Sequence, residues 1–281
     1  MKQPSLLITG CSSGIGLTAA RGMAVRGWRV FATARKPEDV AALQTQGLEA
    51  LLLDLDESVS IHTAIEEILH RTDGTLDALF NNGAYGLPGA VEDLSRDALR
   101  AQFETNLFGW LELTNRIIPV MRAQGSGRIV MNSSLLGFIA LPYRGAYTAS
   151  KFALEGLTDT LRLELHDSGI HVSLIEPGPI ESRFRTNAHV AFKRWIDTEH
   201  SVHRNQYAAQ ERRLTKEGPA VAFTLPSEAV LNKLIHALES PRPRARYRVT
   251  VPGHLFAYVK RILSSRALDW LMRNASGGGK R

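Results

Sequence analysis

Along this chain, short runs of consecutive apolar residues alternate with longer stretches whose apolar positions recur every three to four residues. The short runs are "SLLITG", "RVFATAR", "EALLLDL", "DALFNNG", "GRIVMNSS", "IHVSLIEPG" and, late, "RYRVTV". Most are apolar on successive positions rather than in alternation, the pattern of parallel strands covered on both faces. Between them lie helical patterns such as "GIGLTAARGMAVRG" and "SVSIHTAIEEILHRT". Strand–helix alternation of this kind predicts an α/β fold: an open, doubly wound parallel sheet of about seven strands with helices on both faces.

Composition narrows the picture. At 281 residues and 44% hydrophobic, the chain can bury one large core or two small ones. No internal repeat and no low-complexity linker precedes "ASGGGKR", which reads as a frayed end, so one domain over 1–281 is expected. Within it, residues 4–182 form the core, 183–225 a small helical lid, 226–252 a last helix and strand, and 253–281 a helical extension. No stretch approaches the roughly 18 apolar residues needed to span a bilayer. The start, "MKQPSLLITG", has too short an apolar run for a secretory signal. Cys11 is the only cysteine, which excludes an internal disulfide and a cysteine-rich metal site. The expectation is a soluble, cytoplasmic protein.

The net charge of +6 is unevenly spread. Residues 1–182 carry 15 Lys+Arg against 21 Asp+Glu, a balance of −6, and residues 183–281 carry 19 against 7, a balance of +12. A basic tail raises nucleic acid or an anionic membrane as partners. With neither a zinc pattern nor a glycine–aromatic RNA signature, nucleic acid is not expected. Read as one helix, "GHLFAYVKRILSSRALDWLMRN" aligns Phe256, Val259, Leu263, Ala267 and Trp270 along a stripe, with Leu271 at its edge. That stripe fits packing on its own domain or on a second copy. With Lys260, Arg261, Arg266 and Arg273 around it, it also fits a weak peripheral membrane contact through 254–273.

The chemistry starts at "LLITGCSSGIG", where Gly10, Gly14 and Gly16 follow the first strand and open a helix. Glycines allow a tight turn and close approach of a pyrophosphate, and the helix N-terminus offers free N–H groups and a positive dipole end. The strand–turn–helix context is the one a dinucleotide site of Rossmann type requires. The spacing Gly-x-x-x-Gly-x-Gly differs from the commoner Gly-x-Gly-x-x-Gly. It resembles the loop of the short-chain dehydrogenase/reductase family. Further stretches match that family in order: "LLLDLD", "FNNGAYG", "TNLFG", "GRIVMNSSLLG", "YTASK" and "EPGPI". The resemblance covers about residues 4 to 182 and is nearest to the retinol and steroid dehydrogenases and the aldehyde and carbonyl reductases.

That resemblance implies a nicotinamide cofactor held by Gly10, Ser12, Ser13, Gly14, Ile15 and Gly16, by Asp54 and Leu55 at the adenine, and by Asn82 near the adenine ribose. The family usually reads Asn-Asn-Ala-Gly where this chain has Asn81, Asn82, Gly83 and Ala84, which moves the permissive backbone position by one. Pro177, Gly178 and Ile180 would meet the nicotinamide, and Ser182 stands where many members have threonine. At the end of the second strand, NAD-specific members place an acid on the ribose 2′-hydroxyl. Here Arg35 and Lys36 stand instead, with no acid before Glu38. An arginine grips a 2′-phosphate in a bidentate way, so NADP(H) is favoured over NAD(H).

Tyr147 and Lys151 lie one helical turn apart, on one face. Alone, phenol and ammonium titrate near ~10 and ~10.4, far from neutrality. A lysine close to the phenol should lower the tyrosine pKa and make it a proton carrier. The resemblance implies that Ser134, rather than its neighbour Ser133, holds the substrate oxygen, and that Asn106 holds a water linked to the lysine. Lys151 and Tyr147 would also touch the cofactor, and Ser150 would be a small helix-packing residue. Together these imply an oxidoreductase moving a hydride between NADP(H) and an apolar aldehyde, ketone or alcohol, working as a homodimer or homotetramer. The alternative is a cofactor-binding sensor without turnover. In the lid, Phe184, Phe192, Trp195 and Tyr207 are candidates for an apolar pocket or for lid packing. His189, His200 and His203 have only a faint metal spacing, with no clear helix or acid partner, so no metal is expected.

Overall fold

The computed structural model describes residues 3–218 and 221–275. Seven parallel strands form one sheet in the order β3-β2-β1-β4-β5-β6-β7. They are β1 (Ser5–Ile8), β2 (Arg29–Ala34), β3 (Glu49–Leu52), β4 (Ala78–Asn81), β5 (Gly127–Asn132), β6 (Ile170–Glu176) and β7 (Arg246–Arg248). Helices α1 (Gly14–Val25), α2 (Pro37–Gln44), α3 (Ser58–Arg71), α4 (Arg96–Phe103), α5 (Gly109–Gln124) and α6 (Gly145–Glu164) connect the first six strands. The consecutive apolar runs have a direct cause. Leu6 and Ile8 face a core shared with Ala20 and Met23 of α1 and, across it, Val230 and Leu234 of α9 (Glu228–Glu239). Leu7 between them faces the opposite layer, with Ile61 of α3, Trp110 and Ile117 of α5 and Leu154 of α6. A strand buried on both faces favours apolar residues at successive positions.

The chain order reverses between β1 and β4, and the crevice beyond the carboxyl ends of these strands is where open α/β sheets bind ligands. Over it lies the lid, α7 (Phe184–Trp195) and α8 (Arg204–Thr215), with its own small core of Ala188, Phe192, Tyr207 and Leu214 against Leu87 and Ala98.

Two expectations fail near the end of the chain. The late run "RYRVTV" is strand only over β7, because Thr250 caps α10 (Val251–Ile262), its hydroxyl accepting from the Gly253 amide at 3.4 Å. The single apolar stripe over 254–273 does not form either. Leu263 is extended (φ −78°, ψ 142°), which ends α10 and starts a separate helix, α11 (Ser265–Ala275). The break turns the stripe: Gly253 and Ala257 face inward, while Val251, Leu255, Tyr258 and Ile262 form an exposed apolar line. Most of "ASGGGKR" lies outside the described residues.

The core places Phe80 at the centre of the sheet with no solvent exposure. Phe80→Ala should cost about 3–5 kcal/mol, read as a fall in the urea midpoint at unchanged slope.

Candidate active site

The turn after β1 is built for close approach. Gly10 and Gly14 have φ of +71° and +54°, the left-handed region that side chains resist. A Cβ on Gly16 would run into the Gly10 carbonyl oxygen, and one on Gly14 would sit 2.8 Å from the Ser182 Cβ. Cys11 ties the loop to β2 through its amide, which donates to Thr33 O at 2.8 Å. Burial pushes its thiol up to about 12, so it is inert. Ser13 precedes α1 in extended conformation and its side chain caps no amide, so the first N–H groups of α1 face the crevice, with Ser12 and Ile15 beside them. A pyrophosphate needs such a cradle, and the glycines fit it.

Asn82, expected near the adenine ribose, also supports the loop beside it. Its Nδ2 donates to Thr9 O (2.9 Å) and Gly10 O (3.3 Å), while its Oδ1 accepts from Asn132 Nδ2 at 2.8 Å. It buttresses the glycine loop. Thr9, which sequence reasoning passed over, accepts from the amides of Asn82 and Gly83 at 2.9 Å each. Gly83 is not left-handed, so the exchanged Gly and Ala do not shift a permissive turn. Space there is tight instead: a Cβ on Gly83 would sit 3.2 Å from Leu55 Cδ1 and 3.3 Å from the Gly10 nitrogen. Asp54, two residues past β3, accepts from the Asp56 amide at 3.1 Å, and Leu55 beside it is buried. At the end of β2, Lys36 pairs loosely with Glu38 (3.7 Å), whereas exposed Arg35 forms no ion pair among the described residues.

The α6 face carries the rest. Lys151 is 1% exposed, its Nζ donating to Asn132 O at 2.8 Å and standing 4.3 Å from the Trp110 ring centre and 5.7 Å from that of Tyr147. Burial lowers the lysine to about 7, with Glu155 acting to raise it. Burial also raises Tyr147 to about 12, opposed by the Ser134 hydroxyl. The expected lowering of the tyrosine by the lysine is therefore outweighed in the protein alone, because the phenol is buried away from water. Ser134 caps the short turn Leu135–Gly137, accepting from the Leu136 amide at 3.1 Å, with Ser133 buried behind it. Asn106 sits in a π-helical turn, Glu104–Phe108, a geometry that recurs at functional sites. Its side chain ties two segments together: Nδ2 donates to Tyr85 O (2.8 Å) and approaches Ser150 Oγ (3.3 Å), and Oδ1 accepts from Tyr85 N. Ser150 donates to Tyr147 O at 2.8 Å and packs the helix as expected.

Past β6, Pro177 O accepts from the Leu135 amide at 2.8 Å, joining the Pro177–Gly178 turn to the serine turn. A Cβ on Gly178 would collide with the hydroxyl of Thr250, and Ile180 pairs with Leu225. Of the lid aromatics, only Phe184 reaches the site, its ring edge-on to Tyr147 at 5.3 Å. Phe192 and Tyr207 are packed on each other at 5.4 Å, and Trp195 lies under Arg194. The lid histidines do have acid partners and two lie in or beside helices. His189 meets Glu211, His200 meets Asp197 and His203 meets Glu92, so each is held by a different carboxylate.

A family model described as short chain dehydrogenase matches residues 5–191. An uncharacterized oxidoreductase, YbbO, of Escherichia coli strain K12 is 42% identical over 96% of this chain and 94% of its own length. Human 17-beta-hydroxysteroid dehydrogenase type 1 is 35% identical over 89% of this chain and 78% of its own. Among solved structures, a short-chain dehydrogenase from Streptomyces avermitilis superposes with a TM-score of 0.77 at 26% identity, covering 99% of both chains. The chain belongs to the short-chain dehydrogenase family and is an oxidoreductase that interconverts CH–OH and C=O groups with a nicotinamide cofactor.

Proposed function

We propose that the chain is an NADP-dependent oxidoreductase of apolar aldehydes or ketones and their alcohols, with Ser134, Tyr147, Lys151 and Asn106 as its machinery. The observation that carries this reading is a phenol at the crevice that is buried, backed by a buried lysine and walled by an aromatic ring. When bound, the nicotinamide supplies the hydride in reduction or accepts it in oxidation. Tyr147 Oη gives the proton to the substrate oxygen in reduction. A neutral phenol, favoured by burial, is the form that does so. The Ser134 hydroxyl orients that oxygen. Lys151 holds the cofactor ribose and offsets the phenolate once the proton has left. Asn106, whose side chain ties the segment at Tyr85 to the start of α6, keeps a water linked to Lys151 in the proton relay.

Substrate class follows from the wall. Phe184 lies over Tyr147 and within reach of Gly86, where a Cβ would meet its ring at 2.7 Å. An apolar carbonyl suits that contact better than a phosphorylated or acidic one. For the cofactor, unpaired Arg35 supports a 2′-phosphate. The groove between α5 and α6, with exposed Leu111 and Leu157, supports a homodimer or homotetramer built on that face. No helix among the described residues is long and apolar enough to cross a membrane. We place the protein in the cytoplasm with a peripheral contact through its C-terminal helices. The exposed line Val251, Leu255, Tyr258 and Ile262 has Arg261 next to it in sequence, and Arg266 and Arg273 follow on α11, a basic content that suits anionic lipid.

Tyr147→Phe should cut kcat by about 10²–10⁴-fold while leaving NADPH binding, read by fluorescence, intact. Wild type that binds NADPH but turns over no member of an aldehyde and ketone panel would instead favour a sensor. In the same assays alcohol oxidation should rise with pH, because it needs the phenol deprotonated, whereas reduction should not. Arg35→Ala should weaken NADPH by about 10–100-fold, as expected for one charge-assisted contact, and leave NADH unchanged; equal loss for both would remove Arg35 from the 2′-phosphate. The protein should float with anionic vesicles at low salt and not with neutral ones, and Leu255→Glu with Ile262→Glu should abolish this. Co-sedimentation that instead tracks self-association of the wild type would make the line a contact between copies.

A further inference from the structure

The face of α6 that presents Tyr147 and Lys151 continues inward. Glu155 follows one turn later and Asp159 one turn after that, so four ionisable residues rise along the helix in steps of four. Glu155 is only 7% exposed. Its Oε2 accepts from Arg246 of β7, which also donates to Glu176 of β6 at 2.9 Å and to Asp159. Arg248 lies 3.3 Å from the other oxygen of Glu176, and Arg162 takes the outer oxygen of Asp159 at 2.5 Å. One carboxylate oxygen of Glu155 is left without a hydrogen-bond partner, as is the buried hydroxyl of Ser133. Both border the spot where residue 137 has no side chain: a Cβ there would be 2.6 Å from Ser133 Oγ and 3.0 Å from Glu155 Oε1. Glycine at 137 thus leaves these two groups facing each other directly behind Ser134.

We propose that Glu155 is a positioning residue of the active site: its buried carboxylate, clamped from the far side by Arg246, holds Lys151 in its charged form and backs the turn that carries Ser134. The need is physical. A lysine under the Trp110 ring, with one carbonyl as its hydrogen-bond partner, loses its charge to desolvation unless an anion stands near. Among the described residues, Glu155 is the group acting to raise it. Glu155 is itself under strain from the same burial and from Glu176, which raise it to about 7, against Ser133 and Arg246, which lower it. The groups facing it are therefore Lys151 and Asp159 on α6, Glu176 on β6, Arg246 on β7 and the Ser133 hydroxyl. Arg246 is what makes an anion tolerable there, and Glu155 passes that stabilisation to Lys151. The inference rests on the roles given to Tyr147 and Lys151, but its first test does not need turnover.

In cofactor-free protein carrying ¹³C-labelled lysine, the Lys151 resonance, assigned by its loss in Lys151→Met, is titrated by NMR. Glu155→Gln keeps the shape and removes the charge. It should lower the Lys151 midpoint by about one unit or more, whereas Glu155→Asp should stay near wild type. Ser133→Ala, a one-atom deletion, should produce a smaller fall in the same direction, and it serves if Glu155→Gln does not fold. With cofactor and alcohol, the acidic limb of the kcat profile should move to higher pH in Glu155→Gln, since a less charged lysine stabilises the Tyr147 phenolate less. Lys151 titrations of both variants that superimpose on wild type overturn the proposal. So does a uniform loss of kcat at every pH with no shift. A lysine that titrates as expected in an enzyme without turnover counts against the roles of Tyr147 and Lys151 and not against Glu155.

Discussion

A lysine ammonium buried at the carboxyl edge of the sheet is the constraint around which this molecule is arranged. Lys151 is held by one carbonyl, that of Asn132, and by the faces of Trp110 and Tyr147. Those contacts recover only part of the solvation a charge loses on burial. The rest must come from fixed groups at a distance, which is why the helix carrying it also carries a carboxylate, and why that carboxylate in turn needs Arg246. The chain from Tyr147 to Arg246 is a sequence of electrostatic debts, each met by the next residue inward, and the strand that closes it, β7, is the last added to the sheet.

The same carbonyl links catalysis to cofactor. Asn132 receives the lysine on its backbone oxygen and donates its side-chain amide to Asn82, which donates to Thr9 and Gly10. Three strand ends, β5, β4 and β1, are thereby locked in register at the point where chain order reverses. A loop that must let a pyrophosphate touch backbone cannot hold its own shape with side chains. It is held from behind by an asparagine ladder, and Gly10, Gly16 and Gly83 are as small as that close packing requires.

Around this rigid centre the peripheral elements differ in kind. The lid packs by its own aromatic core and lends the site a single ring, Phe184. At the other end, Thr250 packs on Gly178 and α10 rests on the turn that follows Ser134, so the C-terminal helices border the mouth of the site while turning an apolar line outward. The exposed apolar line thus begins beside the rim of the site.

Much of this was legible in the chain. Consecutive apolar runs of four to seven residues between helical periods can be satisfied only by strands covered on both sides, so the doubly wound sheet followed from local pattern. Gly10, Gly14 and Gly16 after a strand, and Tyr147 with Lys151 one turn on, are local as well, and the structure brings them to one crevice. What local pattern could not carry is anything decided by partners distant in sequence. The hold of Asn82 on the glycine loop could not be read, because Thr9, 73 residues away, comes beside it only when β1 and β4 pair. Glu155 is one turn past Lys151 and could have been read, but only β7, 91 residues on, shows that Arg246 stands against its carboxylate. The tyrosine was expected to acidify beside its lysine, and burial reversed the sign. Proximity along a helix is a property of sequence. Desolvation is a property of everything packed around it, and so the charges of this site were settled only by the tertiary structure.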